Sequence, residues 1–199
     1  LMQHMPVVTL GRRARDEHLL VSPEALADRG IDYHVSARGG DITYHGPGQT
    51  VIYPILKLGT READAHGYLW NLEETAIRTA ADFGVRAFRR EGKSGAWTEA
   101  GKVAAIGFKL RRWVSFHGMS FNVDVDLSGF DLMEPCGLVG EPVASLKTLL
   151  GERCPGVDEV STALIRHFSD VSGRAFEATP AASCVGPPSV REAVARCLP

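Results

Sequence analysis

The stretch from Arg38 to Gln49 reads Arg-Gly-Gly-Asp-Ile-Thr-Tyr-His-Gly-Pro-Gly-Gln. Its first eleven residues include four glycines and one proline, which predicts a loop. Glycine allows a backbone to approach a ligand closely, and a threonine, a tyrosine and a histidine supply polar groups beside it. The order of residues matches neither the phosphate loop G-x-x-x-x-G-K-S/T nor the dinucleotide fingerprint G-x-G-x-x-G. The stretch is either an ordinary glycine-rich turn or a ligand-binding loop of another kind.

Strands are predicted on both sides of this loop. Residues 32–37 alternate as a strand does, and residues 50–56 are apolar and β-branched. Because proline cannot donate to a ladder, Pro54 places the second strand at a sheet edge or at a bulge. Further strands are predicted at residues 5–10, 85–88, around 97, 103–110 and 113–123, the last two joined by a short basic turn.

Apolar periodicity and end signals predict the helices. Ser22-Pro23 starts the first, and Gly30 ends it. The longest covers residues 64–83 with an i, i+3, i+4 apolar stripe, and a second amphipathic helix covers residues 161–171. Helices mixed with hairpins, without a regular βαβ rhythm, predict an α+β fold with a mixed, largely antiparallel sheet flanked by helices.

The length of 199 residues predicts one domain. We assign residues 1–177 to this domain, and residues 178–199 to a linker and a short C-terminal helix that packs on the same domain. Because the chain opens at Leu1 directly into a predicted strand, we also expect that an N-terminal segment is missing ahead of it.

Composition excludes several classes of protein. Lys and Arg number 22 against 24 Asp and Glu, a net charge of −2, whereas a general nucleic-acid-binding protein carries a basic excess. No apolar run approaches the ~20 residues of a membrane-spanning helix. The four cysteines include no C-x-x-C pair and are too sparse for a disulfide scaffold, which favours a cytoplasmic location.

Three residues outside the loop could carry chemistry. Lys102 opens a strand of small residues, where lost solvation lowers the pKa of a lysine, although most lysines at strand ends are simply exposed. Strand alternation places His117 on one face with Met119 and Phe121, a setting more typical of a core histidine than of a catalyst. Cys136 lies in a Pro-Cys-Gly turn that can direct a thiol into a cleft, with a small apolar filler as the alternative.

Five segments, taken together and in order, resemble the lipoyl(octanoyl) transferase family. The twelve residues from 38 to 49 closely match that family's signature. The other four are Gln-His-Met-Pro-Val-Val-Thr-Leu-Gly-Arg at 3–12, Gly-Lys-Val-Ala-Ala-Ile-Gly at 101–107, Phe-His-Gly at 116–118, and Pro-Cys-Gly at 135–137 followed by Ala-Ser-Leu at 144–146. The resemblance covers residues 3–146.

The resemblance implies the fold of lipoate and biotin protein ligases and a role in lipoate biosynthesis. An octanoyl group would pass from acyl carrier protein to a lysine of a lipoyl domain, in 2-oxoacid dehydrogenases or the glycine cleavage H protein. The acyl group would travel on a thioester of Cys136, with Lys102 as its catalytic partner and His117 in support. The implied substrate-binding residues are Arg38, Gly39, Gly40, Asp41, Ile42, Thr43, Tyr44, His45, Ala105, Ile106, Gly107, Gly118, Met119 and Ser120.

These roles agree with elementary chemistry. An ammonium beside a cysteine favours the thiolate, and a lysine that has given up its proton can act as general base for an incoming amine. Backbone N–H groups near Gly137, or His45, would stabilise the oxyanion. An apolar slot for the acyl chain is expected where side chains are small, at Gly39, Gly40, Ala105, Gly107 and Gly118.

We expect neither a cofactor nor a metal, because an activated thioester supplies the free energy of transfer. His45, His117 and Cys136 also lack the tight spacing of zinc ligands. Three alternatives stay open: an ATP-dependent lipoate or biotin ligase of the same fold, which would need no cysteine, an amidotransferase acting between lipoyl domains, and a non-catalytic binding module.

Two clusters of basic residues predict electrostatic docking of acidic partner proteins, with an ordinary solvated face as the alternative. The clusters are Arg86, Arg89, Arg90 and Lys93, and then Lys109, Arg111 and Arg112.

Overall fold

The computed structural model describes residues 1–134 and 141–176, and within them two β-sheets meet. Strands β1 (Val7–Leu10), β2 (Asp32–Val35) and β3 (Ile42–His45) form a sheet of order β2-β1-β3, in which β2 is parallel and β3 antiparallel to β1. The other sheet, of order β4-β8-β7-β6-β5, is antiparallel throughout. Its strands are β4 (Gln49–Ile52), β5 (Phe88–Arg90), β6 (Lys93–Thr98), β7 (Gly101–Arg111) and β8 (Val114–Asn122).

In the described part of the chain, four α-helices accompany the sheets: α1 (Pro23–Ala27), α2 (Ala65–Asp82), α3 (Leu146–Leu150) and α4 (Val157–Ser172). Helices α2 and α4 pack on each other and on one face of the five-stranded sheet, burying Leu72, Leu164 and Phe121 completely. A second core, around Val8 and Leu26, lies beside the three-stranded sheet. The predicted α+β class is therefore confirmed.

The long helix follows its sequence signals closely. The Asp64 side chain caps α2 by accepting from the His66 N–H at 2.9 Å, and Gly84 follows its last turn. The later helix begins four residues before the predicted start at Ser161, because Val160 is fully buried and two acidic residues favour the N-terminal end of the helix dipole.

The predicted loop over residues 38–48 is wrong in its middle, where β3 forms. Ile42 and Tyr44 are buried in the second core, and Tyr44 pairs with Val8 of β1. Burial and pairing override the turn-forming glycines on either side. The strand predicted over residues 50–56 ends early, at Ile52, and β4 lies at the sheet edge as Pro54 predicts. Residues 178–199, predicted as linker and helix, lie outside the described residues.

Candidate active site

A cavity of about 840 Å³ opens between the two sheets and collects most of the predicted site residues. Lys102 and His117 line it, together with Arg38, Gly40, Asp41, Ile42, Thr43 and His45 from the glycine-rich stretch, and with residues 105–107 and 118–120 from β7 and β8. Gly39 and Tyr44 are not among its lining residues. The Tyr44 ring instead packs edge-on against Phe130, with ring centres 5.6 Å apart.

Cys136 lies outside the described residues. Glu134 and Glu141, on either side of residues 135–140 in the sequence, both line the cavity. Just after Glu141, the Pro142 carbonyl accepts from the backbone N–H of Lys102 at 2.9 Å. The described residues on both sides of Cys136 therefore line the cavity, and those that follow it in the sequence lie beside Lys102.

Lys102 reaches the cavity because β7 carries one extra residue. Ala104 pairs with Ala96 of β6. Lys102 pairs with the next residue, Trp97, so Val103 is left over as a β-bulge. Strict two-residue alternation would turn Lys102 to the core side with Ala104. The bulge instead puts Lys102 on the cavity side with Trp97.

Cations gather around the Trp97 ring. The Lys102 Nζ lies 4.5 Å from the ring centre and the Arg90 guanidinium carbon 4.6 Å from it. Arg90 and Lys93 both form ion pairs with Glu141. Because an aromatic face attracts a cation, Trp97 makes a favourable contact with the Lys102 side chain.

Arg38 brings a buried positive charge to the cavity wall. Its side chain clamps β1, with Nη2 donating to the Thr9 carbonyl at 2.6 Å, and Nη1 donates to the Gly39 carbonyl at 3.1 Å. Burial lowers the pKa of Arg38 to about 10, against the attraction of Asp41. The guanidinium is therefore charged at neutral pH.

His45 begins a buried hydrogen-bond network. Its Nδ1 lies 2.6 Å from Gln49 Oε1, and Gln49 Nε2 donates to Asn122 Oδ1 at 2.9 Å. Asn122 Nδ2 donates in turn to the Ala144 carbonyl at 3.0 Å. Burial lowers the pKa of His45 to about 4, which outweighs the opposing Gln49 hydrogen bond, so the ring is neutral at neutral pH.

His117 departs from the predicted alternation. Its φ of 59° lies in the left-handed region and interrupts the extended strand. The side chain lines the cavity, 6.4 Å from the Tyr53 ring centre, while Phe121 is buried in the main core. The predicted face shared by His117, Met119 and Phe121 is therefore wrong. Burial lowers the pKa of His117. Tyr53, which lies beside the His117 ring, also has its hydroxyl 2.8 Å from His4 Nε2.

Three glycines expected to open an acyl slot have no free space for it. A Cβ at Gly107 would lie 2.8 Å from the Gly39 carbonyl oxygen, and one at Gly39 would lie 2.8 Å from that of Phe108. At Gly118 the Ile52 carbonyl fills the space. These glycines let backbones cross in contact, so the expectation that they make room for an acyl chain is wrong.

Several cavity residues are absent from the predicted set. Tyr53, Asn122 and Glu141 all line the cavity. The sequence offers a signal for Asn122, a polar residue between the apolar Phe121 and Val123. Nothing in the local sequence marks Tyr53 or Glu141.

Among residues 1–134 and 141–176, no group of three or more His, Cys, Asp or Glu side chains is arranged to hold a metal ion. In the same part of the chain, no helix is long and apolar enough to cross a membrane.

The chain belongs to the lipoyl protein ligase A/B catalytic domain family, whose model matches residues 1–169. A bipartite lipoate protein ligase from Thermoplasma acidophilum superimposes with a TM-score of 0.68 at 19% identity, covering 89% of this chain and 71% of that one. A biotin protein ligase from Aquifex aeolicus superimposes with a TM-score of 0.54 at 12% identity, covering 82% and 69%. The predicted ligase-like fold is confirmed.

Two curated relatives narrow the class. An octanoyltransferase of Syntrophotalea carbinolica is 48% identical over 171 residues, which are 86% of this chain and 77% of the relative. An octanoyltransferase of Desulfotalea psychrophila is 51% identical over 148 residues, 73% and 66% of the two chains. The chain belongs to the octanoyltransferase family and is an acyltransferase, which confirms the family predicted from its motifs.

Proposed function

We propose that this chain transfers an octanoyl group from octanoyl-acyl carrier protein to a lysine of a lipoyl domain, through a thioester on Cys136. The observation that carries the proposal is the cavity that Lys102 lines. Its wall includes Glu134 and Glu141, the nearest described residues on either side of Cys136. Membership of the octanoyltransferase family supports the same reaction.

In the first step the Cys136 thiolate attacks the carbonyl carbon of the carrier thioester. A new carbon–sulfur bond forms, the carrier's carbon–sulfur bond breaks, and the carrier thiolate takes a proton from the Lys102 ammonium. One thioester replaces another, so the step is nearly isoenergetic.

In the second step a neutral lysine amine of the lipoyl domain attacks the acyl carbon on Cys136. The carbon–nitrogen bond forms, Cys136 leaves as thiolate, and the amine proton passes to Lys102. The pair returns to its starting charges. Formation of an amide makes this step downhill.

An apolar part of the cavity fits the acyl chain. Leu20, Leu127, Phe130 and Met133 all line it. Burying the methylenes of an eight-carbon chain at ~0.8 kcal/mol each gives about 5 kcal/mol of binding. The proposed slot thus lies among large apolar side chains and not at Gly39, Gly107 or Gly118.

The test is intact-mass analysis after incubation with octanoyl-acyl carrier protein, without ATP. We expect a mass increase of one octanoyl group on the wild-type protein and none on the Cys136→Ser variant, which also loses turnover.

Cys154→Ser is the matched control. Cys154 packs against the main core, and burial raises the pKa of its thiol, so this variant should load and turn over normally. Equal losses in both variants, or a reaction that needs ATP, would contradict the proposal.

A further inference from the structure

The Ala144 carbonyl, at the opposite end of the network from His45, determines how the two side-chain amides in the network are oriented. A backbone carbonyl only accepts, so the Asn122 atom that faces the Ala144 carbonyl is its NH₂ group. Asn122 Oδ1 then faces Gln49, which must present its own NH₂ group. The Tyr44 carbonyl, 3.4 Å from the same Gln49 nitrogen, agrees with that assignment.

This order fixes the tautomer of His45. Gln49 turns its Oε1 toward the ring, so the proton of the neutral imidazole must sit on Nδ1. The second ring nitrogen, Nε2, is left with a lone pair, on a residue that lines the cavity. His45 therefore cannot donate a hydrogen bond to an oxyanion through Nε2, and the expectation that it would do so is wrong.

The surroundings keep the ring in this state. His45 is 8% exposed, Gln49 is 0% exposed and Asn122 is 4% exposed, so water does not compete for the network. The His4 ring centre lies 5.4 Å from that of His45, and Arg38 is a nearby positive charge. A second positive charge on His45 would be repelled, so Nε2 accepts hydrogen bonds without taking up the proton.

We infer that Gln49 and Asn122 are positioning residues that hold His45 as a hydrogen-bond acceptor for the neutral amine of the incoming lysine. The same buried Arg38 that opposes a charged His45 also opposes an ammonium, so the amine that binds here is the neutral, nucleophilic form. One of its N–H groups would donate to Nε2, which orients its lone pair. This inference rests on the proposed transfer reaction for the identity of the amine.

Nuclear magnetic resonance tests the tautomer on the wild-type protein itself. With ¹⁵N-labelled histidine, long-range ¹H–¹⁵N spectra distinguish the two neutral tautomers and the charged ring, and a His45→Asn variant assigns the signals. We expect a neutral His45 protonated on Nδ1 at pH 7. A ring protonated on Nε2, or a charged ring, overturns the inference whatever the enzyme's activity.

Kinetics tests the role of the network with Gln49→Met, which keeps the approximate shape of the side chain but removes both the acceptor for His45 and the donor to Asn122. We expect formation of the octanoyl-enzyme to be unchanged and its aminolysis by a lipoyl domain to slow roughly tenfold, the effect of losing the one hydrogen bond between the amine and a correctly oriented His45. The matched control is Thr50→Val on the same strand, which removes a partly buried 2.8 Å hydrogen bond to Ser161 and leaves the network intact.

The outcomes separate the two proposals. Equal slowing of both half-reactions in Gln49→Met, or the same loss in Thr50→Val, assigns the effect to stability and overturns the positioning role. Slower octanoyl-enzyme formation with unchanged aminolysis would show that His45 accepts a hydrogen bond from the carrier protein. That result would overturn the inference that it accepts one from the incoming lysine. If no octanoyl-enzyme forms in the wild-type protein, the transfer proposal fails, while the spectra still decide the state of His45.

Discussion

Lys102 lies against the Trp97 ring at the start of β7. In the proposed reaction it gives up a proton in the first step and takes one up in the second. We predict that Lys102→Ala slows octanoyl-enzyme formation and aminolysis by roughly 10²-fold or more, the usual scale for lost acid–base catalysis. Single-turnover mass spectrometry of the two half-reactions measures both rates.

The Lys102→Arg variant distinguishes the positive charge of Lys102 from its ability to act as a base. It keeps a positive charge but cannot release a proton, so the pH profile of thiol alkylation should stay near wild type while aminolysis is lost. Lys147→Ala, at an exposed lysine paired with Glu152, is the control. An alkylation profile unchanged in Lys102→Ala would show that Lys102 does not tune the thiol.

The buried histidine makes stability depend on pH in a definite direction. His45 has a pKa near 4 in the folded protein and an ordinary value of 6.5, so the unfolded chain binds the extra proton between these values. The free energy of unfolding should therefore fall as pH drops from 6.5 to 4, by up to about 3 kcal/mol from His45 alone. Burial lowers the pKa of His4 and of His117 in the same sense.

Urea denaturation at a series of pH values measures this slope. The His45→Asn variant should show a shallower loss of stability over the same range. A slope identical to that of the wild-type protein would mean that the acid sensitivity comes from other groups.

At the scale of elements, the crossing of residues 38–39 over β7 depends on two glycines in contact. Gly107→Ala would force the new Cβ against the Gly39 carbonyl oxygen. That oxygen belongs to the backbone and cannot move aside as a side chain can. We predict a loss of about 1–3 kcal/mol in unfolding free energy, the usual result of overpacking, together with a loss of transfer activity because Arg38 is displaced.

Gly67→Ala is the matched glycine substitution. Gly67 lies in the first turn of α2, where the nearest atom to an added Cβ is Oδ2 of Asp64 at 2.9 Å, the end of a side chain that can shift while Oδ1 caps the helix. Alanine also favours the helix. Its unfolding free energy should stay level or rise. Comparable losses in the two variants would contradict the crossing as the cause.

Elements with local signals were predictable, and those fixed by distant contacts were not. Asp64 and Gly84 mark the ends of α2 in the sequence itself. By contrast, β3 forms between glycines because β1 pairs with it, and His117 leaves the strand pattern through a left-handed backbone that no neighbouring residue signals. Many residues that line the cavity belong to the family's motifs, whereas the network through Gln49 and Asn122 joins residues far apart in the sequence that no motif links.

At the scale of the whole molecule, the two predicted basic clusters differ. Arg89 pairs with Glu73 and Glu74, and Arg90 and Lys93 pair with Glu141, so most of the first cluster is neutralised. Within the described residues, no ion pair involves the second cluster of Lys109, Arg111 and Arg112. The second cluster lies at the end of the β7–β8 hairpin, beyond the cavity-lining pair Gly107 and Gly118.

We predict that Arg111→Glu/Arg112→Glu raises the Michaelis constant for octanoyl-acyl carrier protein on the order of tenfold, because steering of an acidic partner is lost. Transfer from octanoyl-coenzyme A should change far less. Added salt should weaken the carrier reaction of the wild-type protein, as the Debye length shrinks below about 8 Å.

Arg153→Glu, an exposed charge reversal after α3, is the control and should leave both donors unaffected. Equal damage to both donors, or a carrier reaction indifferent to salt, would show that the hairpin is not the docking surface.

Because Val103 is an extra residue in β7, the side of the sheet on which Lys102 lies depends on the number of residues in the strand. Single substitutions in β7 keep the number of residues, so we expect the lysine to stay on the cavity side even where packing is weakened. Removal of one codon between Lys102 and Ala104 would abolish the bulge and turn the lysine toward the helices, although every chemically important side chain is still encoded. In this chain the number of residues at the start of β7 is therefore constrained separately from their identity.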